Sequence, residues 1–250
     1  MSIFGDLVSR DRPLIGLWQA FANAYTAEIC AGAGYDWLLF DGEHAPNTLQ
    51  TLLSQLQAVA SYPVHPIARP PAGDPVIIKQ YLDIGFPTLL VPMVDTANQA
   101  RELVAATRFP PLGTRGVASA TSRASRFGGI QDYLAAAHER TALIAQIESR
   151  RGLDAVAEIA AVVGVEAIFV GPADLAASLG HLGNPGHGDV QAAIARILEA
   201  AKAADKPCGI FAVDRDDASR RIQQGFRFVS IGTDVGLLAH GAKELRGAIA

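Results

Sequence analysis

Short apolar runs recur along the chain, and most are followed by a segment whose apolar residues repeat at helical spacing. Eight of these runs are candidate β-strands: Leu14–Trp18, Asp36–Asp41, Val64–Arg69, Thr88–Pro92, Thr141–Ile147, Glu166–Val170, Pro207–Ala212 and Arg227–Ile231. The runs are nearly continuous in apolar residues and show little alternation, which is typical of strands buried on both faces. The pattern therefore predicts a parallel sheet covered by helices.

Helices are predicted between the strands, where apolar positions lie three and four residues apart. The predicted helices are Asn47–Ala60, Asp74–Ile84, Thr96–Thr107, Gly152–Val163, Val190–Ala204 and Asp234–Ala248. Asp74 and Thr96 are typical N-cap residues, and Pro75 suits a first helical position. A glycine precedes several of the strands, where a helix commonly ends in the left-handed conformation: Gly34, Gly85 and Gly225.

Eight strand–helix units in 250 residues give about 31 residues per unit, the size found in (β/α)8 barrels. A doubly wound open sheet is the alternative, but it requires a GxGxxG turn after the first strand, where this chain has Gln19–Asn23. We therefore predict an α/β protein with one domain over residues 1–250, folded as a TIM barrel. The irregular segment Arg108–Gly129 is too long for an ordinary connection, which indicates a function, an oligomer contact, or both.

Composition narrows the function classes. Half of the residues are apolar, 18% are charged, and the formal net charge is −4, which excludes a disordered chain and argues against a nucleic-acid partner. No apolar stretch is long enough to span a membrane, and the first residues do not resemble a signal peptide, so we expect a cytoplasmic protein. Cys30 and Cys208 are too far apart to form a disulfide scaffold and are expected to be buried thiols. The excess of apolar residues indicates a well-buried sheet, an oligomer, or both.

Polar residues cluster where the predicted strands end, which is where TIM barrels carry their active sites. Strand 2 runs into Asp41–His44 (DGEH), strand 3 ends in Arg69, and strand 5 ends in Gln146–Glu148 (QIE). Strand 6 runs into Gly171–Asp174 (GPAD), and strand 8 into Gly232–Asp234 (GTD). We expect these side chains to share one rim of the barrel.

Glu148 and Asp174 follow neighbouring strands and can converge on one point. Two carboxylates without a nearby His or Cys cluster suit a hard divalent ion such as Mg²⁺ or Mn²⁺, with open positions left for substrate and water. The alternative is a pair of salt-bridged or helix-capping acids. The first turn of the helix that Pro172 begins also offers the backbone N–H groups of Ala173 and Asp174 to a carboxylate.

Arg69 at the barrel mouth is expected to contact an anion or a polarised oxygen, with an ion pair to Asp41 or Glu43 as the alternative. Of the six histidines, His44 directly follows a strand at the rim. His181 and His187 imitate metal-ligand spacing, although a solvated loop is the preferred interpretation. None of the four lysines closes a strand, which argues against a Schiff-base mechanism.

Several segments closely resemble the HpcH/HpaI family, the class II, metal-dependent pyruvate aldolases. The matching segments are Asp36–Asn47 (DWLLFDGEHAPN), Thr88–Met93 (TLLVPM), Arg108–Gly116 (RFPPLGTRG), Gln146–Glu148 (QIE) and Phe169–Leu175 (FVGPADL). The resemblance extends from Gly16 to the last helix. It implies (β/α)8 barrels of the phosphoenolpyruvate/pyruvate type, assembled as hexamers (dimers of trimers) that exchange the last helix between subunits.

The resemblance also implies roles for the rim residues. His44 matches the family's base, and Arg69 matches the arginine that polarises the keto oxygen. Asp83 matches an aspartate that raises the basicity of the histidine, and Asp41 is expected to help orient it.

The same resemblance implies which residues bind the metal and which bind pyruvate. Glu148 and Asp174 match the metal acids, for Mg²⁺, Mn²⁺ or Co²⁺. The pyruvate site matches a short set of positions: Gln146, Gly171, Pro172, Ala173 and Asp174.

The implied reaction is reversible cleavage of a 4-hydroxy-2-oxo acid to an aldehyde and pyruvate or hydroxypyruvate, through an enolate held by the metal, as in aromatic catabolism. Trp18, the Pro71–Asp74 turn and Phe211–Val213 are expected to line the aldehyde side. Arg115, Arg123 and Arg126 are expected either to bind a second substrate carboxylate or to pair across subunits. The alternatives are a 2-keto-3-deoxy sugar acid aldolase, a CoA-thioester lyase and a catalytically silent barrel.

Overall fold

In the computed structural model, which describes residues 2–212 and 214–249, eight parallel strands form a closed barrel. Each strand pairs with the next one along the chain, and β8 pairs with β1. The strands are β1 Leu14–Gln19, β2 Trp37–Asp41, β3 His65–Arg69, β4 Thr88–Val91, β5 Ala142–Ile147, β6 Val165–Val170, β7 Cys208–Phe211 and β8 Phe228–Thr233. All eight predicted strands and the TIM barrel are confirmed.

The helices lie outside the strands, apart from α1, which precedes the barrel. Their bounds are α1 Ile3–Val8, α2 Ala24–Ala31, α3 Leu49–Ala58, α4 Pro75–Asp83, α5 Ala97–Thr107, α6 Tyr133–Arg140, α7 Arg150–Asp154, α8 Val156–Ala160, α9 Pro172–Ser178, α10 Gly188–Ala203, α11 Arg215–Gln224 and α12 Asp234–Gly247. The prediction of one helix over Gly152–Val163 is wrong. The backbone at Ala155 leaves the helical region (φ −98°, ψ 3°) and divides the segment into α7 and α8.

Local signals in the sequence set several helix ends. The Asp74 carboxylate accepts the backbone N–H groups of Val76 and Ile77 and so caps α4, whose first residue is Pro75. Thr96 caps α5 in the same way. The glycines that were expected to end helices all have positive φ: Gly34 at 88°, Gly85 at 106° and Gly225 at 104°.

The hydrophobic core has two layers, one inside the barrel and one between the strands and the helices. At the amino-terminal end of the barrel, α1 places the Phe4 ring edge-on against Phe228, with 5.4 Å between ring centroids. At the carboxyl-terminal rim, the Asp234 carboxylate accepts the backbone N–H groups of Ala20 and Phe21 and ties the end of β8 to the turn after β1. The first end is therefore sealed by apolar packing, and the second remains open.

Both cysteines are buried free thiols, as predicted. No helix within the described ranges is long and apolar enough to span a membrane. The Arg108–Gly129 segment contains a short 3₁₀ helix, Arg123–Ser125, and its Phe109 packs against Tyr133 of α6.

Candidate active site

A cavity of about 380 Å³ opens at the carboxyl-terminal rim of the barrel. The structure brings to it most of the predicted site residues: Trp18, Asp41, His44, Arg69, Gln146, Gly171, Pro172, Ala173, Asp174 and Phe211. The ends of β1, β2, β3, β5, β6 and β7 carry these residues or lead directly into them. The parallel barrel therefore gathers at one point residues that are far apart in the sequence.

Arg69 is a buried cation on the wall of this cavity, and several contacts hold it in place. Its Nε and Nη2 atoms donate to the two oxygens of Asp41 at 2.9 and 2.7 Å, and its Nη1 lies 2.8 Å from Glu43 Oε2. The guanidinium also lies over the Trp18 ring, 5.2 Å from its centroid. The ion pair expected as the alternative role of Arg69 is thus formed with both acids, and it leaves the guanidinium on the cavity wall.

The two acids respond differently to this arrangement. Burial alone would raise the pKa of Asp41, but the hydrogen bonds and charge of Arg69 outweigh it, and the pKa lies below its ordinary value. The pKa of Glu43 is raised, first by burial and then by the charges of Asp41 and Asp174, against the opposing charge of Arg69. Asp41 therefore stays ionised to hold Arg69.

Asp41 reaches His44 through the backbone and not through the imidazole. Its Oδ1 accepts the N–H groups of Glu43 at 3.0 Å and His44 at 3.4 Å, which fixes the turn after β2. The expectation that Asp41 orients the His44 ring is corrected here, because its two oxygens are committed to Arg69, to this turn and to Trp18 Nε1. The carboxylate nearest to the ring in the pairs described is that of Glu43, with 3.8 Å from Oε2 to Nε2. The side chain of His44 is 64% exposed and faces solvent beside the cavity.

Asp83 lies at the far end of the barrel from His44. It is the last residue of α4, which runs antiparallel to the strands and ends beside the amino-terminal face. Its Oδ1 accepts a hydrogen bond from the buried Arg115 at 2.7 Å. A single chain therefore does not bring Asp83 to His44, and the role that the resemblance implies for Asp83 stays a prediction.

The arginines of the Arg108–Gly129 segment lie away from the rim cavity as well. Arg115 pairs with Asp83 and Tyr133, and Arg123 donates to the carbonyl oxygen of Ile84 at 3.0 Å. With Arg126 they line a separate cavity of about 480 Å³. They do not reach a substrate bound at the rim of their own chain.

Glu148, at the end of β5, is 3% exposed and lies beneath the cavity, against Gly171. Its Oε1 accepts the backbone N–H of Met93 at 2.8 Å, and its Oε2 accepts a hydrogen bond from Gln146. A Cβ at Gly171 would collide with the Glu148 carboxylate, so only glycine permits this approach. Burial is the main reason, and the charges of Glu43 and Asp174 the next, why the pKa of Glu148 is raised to about 7.

Met93 was not found by the sequence analysis. Its backbone is in the left-handed region, with φ of 53°, which turns its N–H toward Glu148. The Gln99 side chain holds this turn, since its Nε2 donates to the Met93 carbonyl at 3.0 Å and its Oε1 accepts the Asp95 N–H at 2.8 Å. Backbone donors have no signature in residue type, so the contact could not be predicted.

Asp174 occupies the exposed first turn of α9, after Pro172 at the first helical position. Gly171 is the N-cap and has no side chain to cap the first-turn amides of Ala173 and Asp174. Asp174 lines the cavity above Glu148 and adds to its raised pKa, which places the two predicted metal ligands side by side.

The rim residues fit a hard cation. Glu43, Glu148 and Asp174 oppose one another electrostatically, and Arg69 is already shared with Asp41. The Gln146 Oε1 atom is buried without a hydrogen-bond partner in the described part of the chain. An excess of carboxylate oxygens with an unsatisfied amide oxygen is the donor set that Mg²⁺ or Mn²⁺ prefers.

Aromatic rings form the other wall of the cavity. Trp18 and Phe211 meet edge to face at 5.3 Å between centroids, with Phe169 behind Trp18 at 5.7 Å. Thr233, from the GTD segment expected at the rim, also lines this wall, as does Pro185, which was not predicted. The expected Pro71–Asp74 turn is not part of the cavity lining, and Val213 lies outside the described residues.

Comparison with known proteins shows the family of the chain. The model of the HpcH/HpaI aldolase/citrate lyase family matches residues 14–241. The chain is 54% identical over 239 residues to hydroxypyruvate/pyruvate aldolase of Delftia acidovorans, covering 96% of this chain and 89% of that protein. It is 52% identical over 242 residues to 4-hydroxy-2-oxo-heptane-1,7-dioate aldolase of Salmonella dublin, covering 97% and 92%.

A solved structure gives the same result for the fold. A HpcH/HpaI aldolase/citrate lyase family protein from Burkholderia cenocepacia superimposes with a TM-score of 0.96 at 43% identity, covering 100% of this chain and 99% of the other.

Proposed function

Because the chain belongs to the HpcH/HpaI aldolase/citrate lyase family, we propose that it is a class II aldolase that cleaves 4-hydroxy-2-oxo acids reversibly. The products are an aldehyde and pyruvate or hydroxypyruvate. The observation that carries the proposal is the single rim cavity that joins Arg69 and His44 to the carboxylate pair Glu148 and Asp174. The family implies a divalent metal, and we propose Mg²⁺, Mn²⁺ or Co²⁺.

Glu148 and Asp174 would hold the ion, with Gln146 beside them. When bound, the ion supplies positive charge to the oxygens of the 2-oxo acid. The amides of Ala173 and Asp174 receive the substrate carboxylate, since Gly171 leaves them without a side-chain cap.

Arg69 stabilises the negative charge that develops on the keto oxygen when the C3–C4 bond breaks. It suits this task because Asp41 and Glu43 fix its orientation before the substrate arrives. His44 moves the proton of the C4 hydroxyl, directly or through one water. Its exposed ring lies at the cavity and is free to adjust to the substrate.

The aromatic wall favours a small aldehyde over an aldehyde that carries a carboxylate. Trp18 and Phe211 present rings to the open side of the cavity, and among the described residues of the same chain Arg69 is the one arginine or lysine in its lining. This argues for a hydroxypyruvate/pyruvate aldolase with aldehydes that carry no second carboxylate, and it places 2-keto-3-deoxy sugar acids second.

We also propose a hexamer that exchanges α12 between subunits. The helix exposes Leu237, Leu238 and Leu245, the second of them at 61%. Apolar side chains in such a row are normally covered by a partner. An Asp83 carboxylate that acts on His44 would have to come from a neighbouring copy, because its own chain keeps the two apart.

The first test is pyruvate release from 4-hydroxy-2-oxo acids by metal-stripped protein, with and without added Mn²⁺ or Mg²⁺. We expect release to require the metal. Release without metal would contradict the Glu148 and Asp174 site. Absence of release under both conditions would favour a CoA-thioester lyase or a silent barrel.

The second test is His44→Ala, with His240→Ala as the control at another exposed histidine. We expect kcat to fall by about 10²–10⁴-fold, because a general base is lost. Stability should change by less than about 0.5 kcal/mol, because the side chain faces solvent. Turnover close to that of the wild type would remove His44 from the mechanism.

A further inference from the structure

The turn between α9 and α10 brings together three side chains that the proposed reaction does not use. His181 Nε2 lies 3.1 Å and His187 Nδ1 3.6 Å from Asp189 Oδ2. Within the residues that the structure describes, this is the one group of three His, Cys, Asp or Glu side chains whose ligand atoms all lie within 4.8 Å of one another. The segment is a largely exposed loop, as the sequence analysis favoured, and the structure adds that these side chains cluster.

The ring nitrogen of His187 that faces the cluster is an acceptor. Its Nδ1 accepts the backbone N–H of Asp189 at 3.2 Å, so this nitrogen carries a lone pair and no proton. The same nitrogen faces the Asp189 carboxylate oxygen at 3.6 Å. Two atoms that can ligate a metal ion, His187 Nδ1 and Asp189 Oδ2, therefore lie close together, with His181 Nε2 on the same carboxylate oxygen.

We propose that His181, His187 and Asp189 form a second metal site, for a borderline transition-metal ion such as Zn²⁺, Co²⁺ or Ni²⁺. Tetrahedral coordination with bonds of about 2.05 Å separates neighbouring ligand atoms by about 3.3 Å. The observed separations of 3.1 and 3.6 Å lie on either side of that distance. Three protein ligands leave a fourth position for water or another ligand.

Binding requires one adjustment. The two imidazole rings are stacked, with centroids 3.6 Å apart and planes inclined by 16°, and an ion cannot lie in both planes at once. One ring must rotate, and the His187 side chain is 40% exposed and free to do so. This rotation breaks the hydrogen bond that His187 Nδ1 accepts from the Asp189 N–H, at the amino-terminal end of α10.

The donor set separates this site from the rim. Two imidazole nitrogens and one carboxylate suit borderline ions, whereas the all-oxygen rim suits Mg²⁺ and Mn²⁺. The cluster is also adjacent to the cavity, because the same loop carries Pro185, which lines the aromatic wall. The Pro185 carbonyl oxygen accepts a hydrogen bond from Gln191 at 2.7 Å. An ion bound by the cluster would fix the loop that carries Pro185.

The test is equilibrium dialysis against Zn²⁺ in the presence of millimolar Mg²⁺, with Glu148→Gln as the parent so that the rim contributes little. His181→Ala and Asp189→Asn are each introduced into this parent, and His240→Ala is the matched control. We expect the parent and the control to bind one Zn²⁺ equally, and each cluster variant to bind it at least tenfold more weakly. Co²⁺ in place of Zn²⁺ should give the visible absorption of a tetrahedral ion in the parent and lose it in both variants.

A Zn²⁺ affinity within threefold of the parent in either cluster variant would overturn the proposal. Failure of the parent to bind Zn²⁺ at all would do the same. Thermal unfolding of each variant checks that the loop substitutions leave the barrel intact. Neither outcome depends on aldolase activity, so the site can fail while the proposed function stands.

Discussion

The two ends of the barrel interior treat ionisable groups in opposite ways. At the amino-terminal end, Phe4, Trp37 and Phe228 pack edge to face, and the ionisable group among them is His65. Its Nε2 lies 2.7 Å from Thr88 Oγ1, and burial lowers the pKa of its ring to about 4. His65 is therefore neutral at physiological pH.

At the carboxyl-terminal rim the buried groups remain charged or partly charged. Arg69 donates two hydrogen bonds to Asp41 and forms an ion pair with Glu43. Glu148 lies beneath them, and its pKa is raised to about 7. The cluster has more carboxylates than cations. A fold that needed only stability would fill this end with apolar side chains as it fills the other.

The difference teaches that the rim is organised for a ligand that the chain itself does not supply. At the sealed end the buried side chains are apolar or neutral, whereas at the open end carboxylates are left without enough cations. Such a departure from the rules of stable packing is expected of a functional site. Three substitutions measure how far the two ends differ.

The largest effect is expected for Arg69→Ala. The substitution removes the partner of the buried Asp41 and the partly buried Glu43. We therefore expect the free energy of unfolding to fall by about 3–5 kcal/mol and kcat to fall by about 10²–10⁴-fold. Chemical denaturation and single-turnover assays measure the two losses. The loss of stability follows from the ion pair with Asp41 and Glu43, which the sequence indicated only as the alternative role of Arg69.

Arg12→Ala is the matched control, because Arg12 forms a comparable ion pair with Asp36 on the surface. Because solvent screens the exposed Arg12 guanidinium, we expect its loss to lower stability far less than the loss of the buried Arg69. A second comparison uses Arg69→Met. Adding Asp41→Asn to this variant should restore part of the stability that it lost and none of the activity. Equal effects of the two arginine substitutions on stability would show that the rim cluster is not special.

The next effect is the pH dependence of stability at the sealed end. His65 has a pKa of about 4 when folded and about 6.5 when unfolded, so the unfolded chain binds an extra proton between these values. Stability therefore falls as the pH falls from about 6.5 to 4, by about 3 kcal/mol from this residue.

Urea denaturation of His65→Gln and of the wild type between pH 7 and 4 checks this. The variant keeps a partner for Thr88 and cannot titrate, so its stability should fall less steeply, while the other groups cancel in the comparison. Parallel curves for the two proteins would show that His65 does not contribute.

The smallest effect has the opposite sign. Glu148→Gln removes a buried carboxylate that burial, Glu43 and Asp174 all disfavour when charged. We expect the metal-stripped protein to gain about 1–3 kcal/mol of unfolding free energy at pH 8 while metal-dependent pyruvate release is lost. A loss of stability would mean that the hydrogen bonds from Met93 and Gln146 outweigh the buried charge.

The barrel was predictable because each strand is a continuous apolar run and each helix has its own apolar stripe. The rim was predictable as a set of residues for the same reason, since strand ends fix which side chains reach it. His44, Arg69, Gln146 and the GPAD turn all lie where the pattern indicated.

The contacts within the rim were not predictable. The ion pair of Arg69 with Asp41 or Glu43 was indicated only as an alternative, and the expected contact of Asp41 with the His44 ring is replaced by hydrogen bonds to the turn after β2. Glu43 was treated as a mere alternative partner, and the Met93 N–H that holds Glu148 was missed. Each of these depends on a side-chain rotamer or a backbone dihedral that neighbouring strands decide together.

The sequence by itself determined the eight strands, the order in which they close the barrel and the chemical types present at each strand end, because periodicity and turn signals are local. Only the tertiary structure decided which charges meet. It separated Asp83 from His44 by the length of the barrel, placed Glu148 against the bare backbone of Gly171, and stacked His181 on His187. The physical reason is that burial and pairing depend on distances between residues far apart in the chain, which no local pattern encodes.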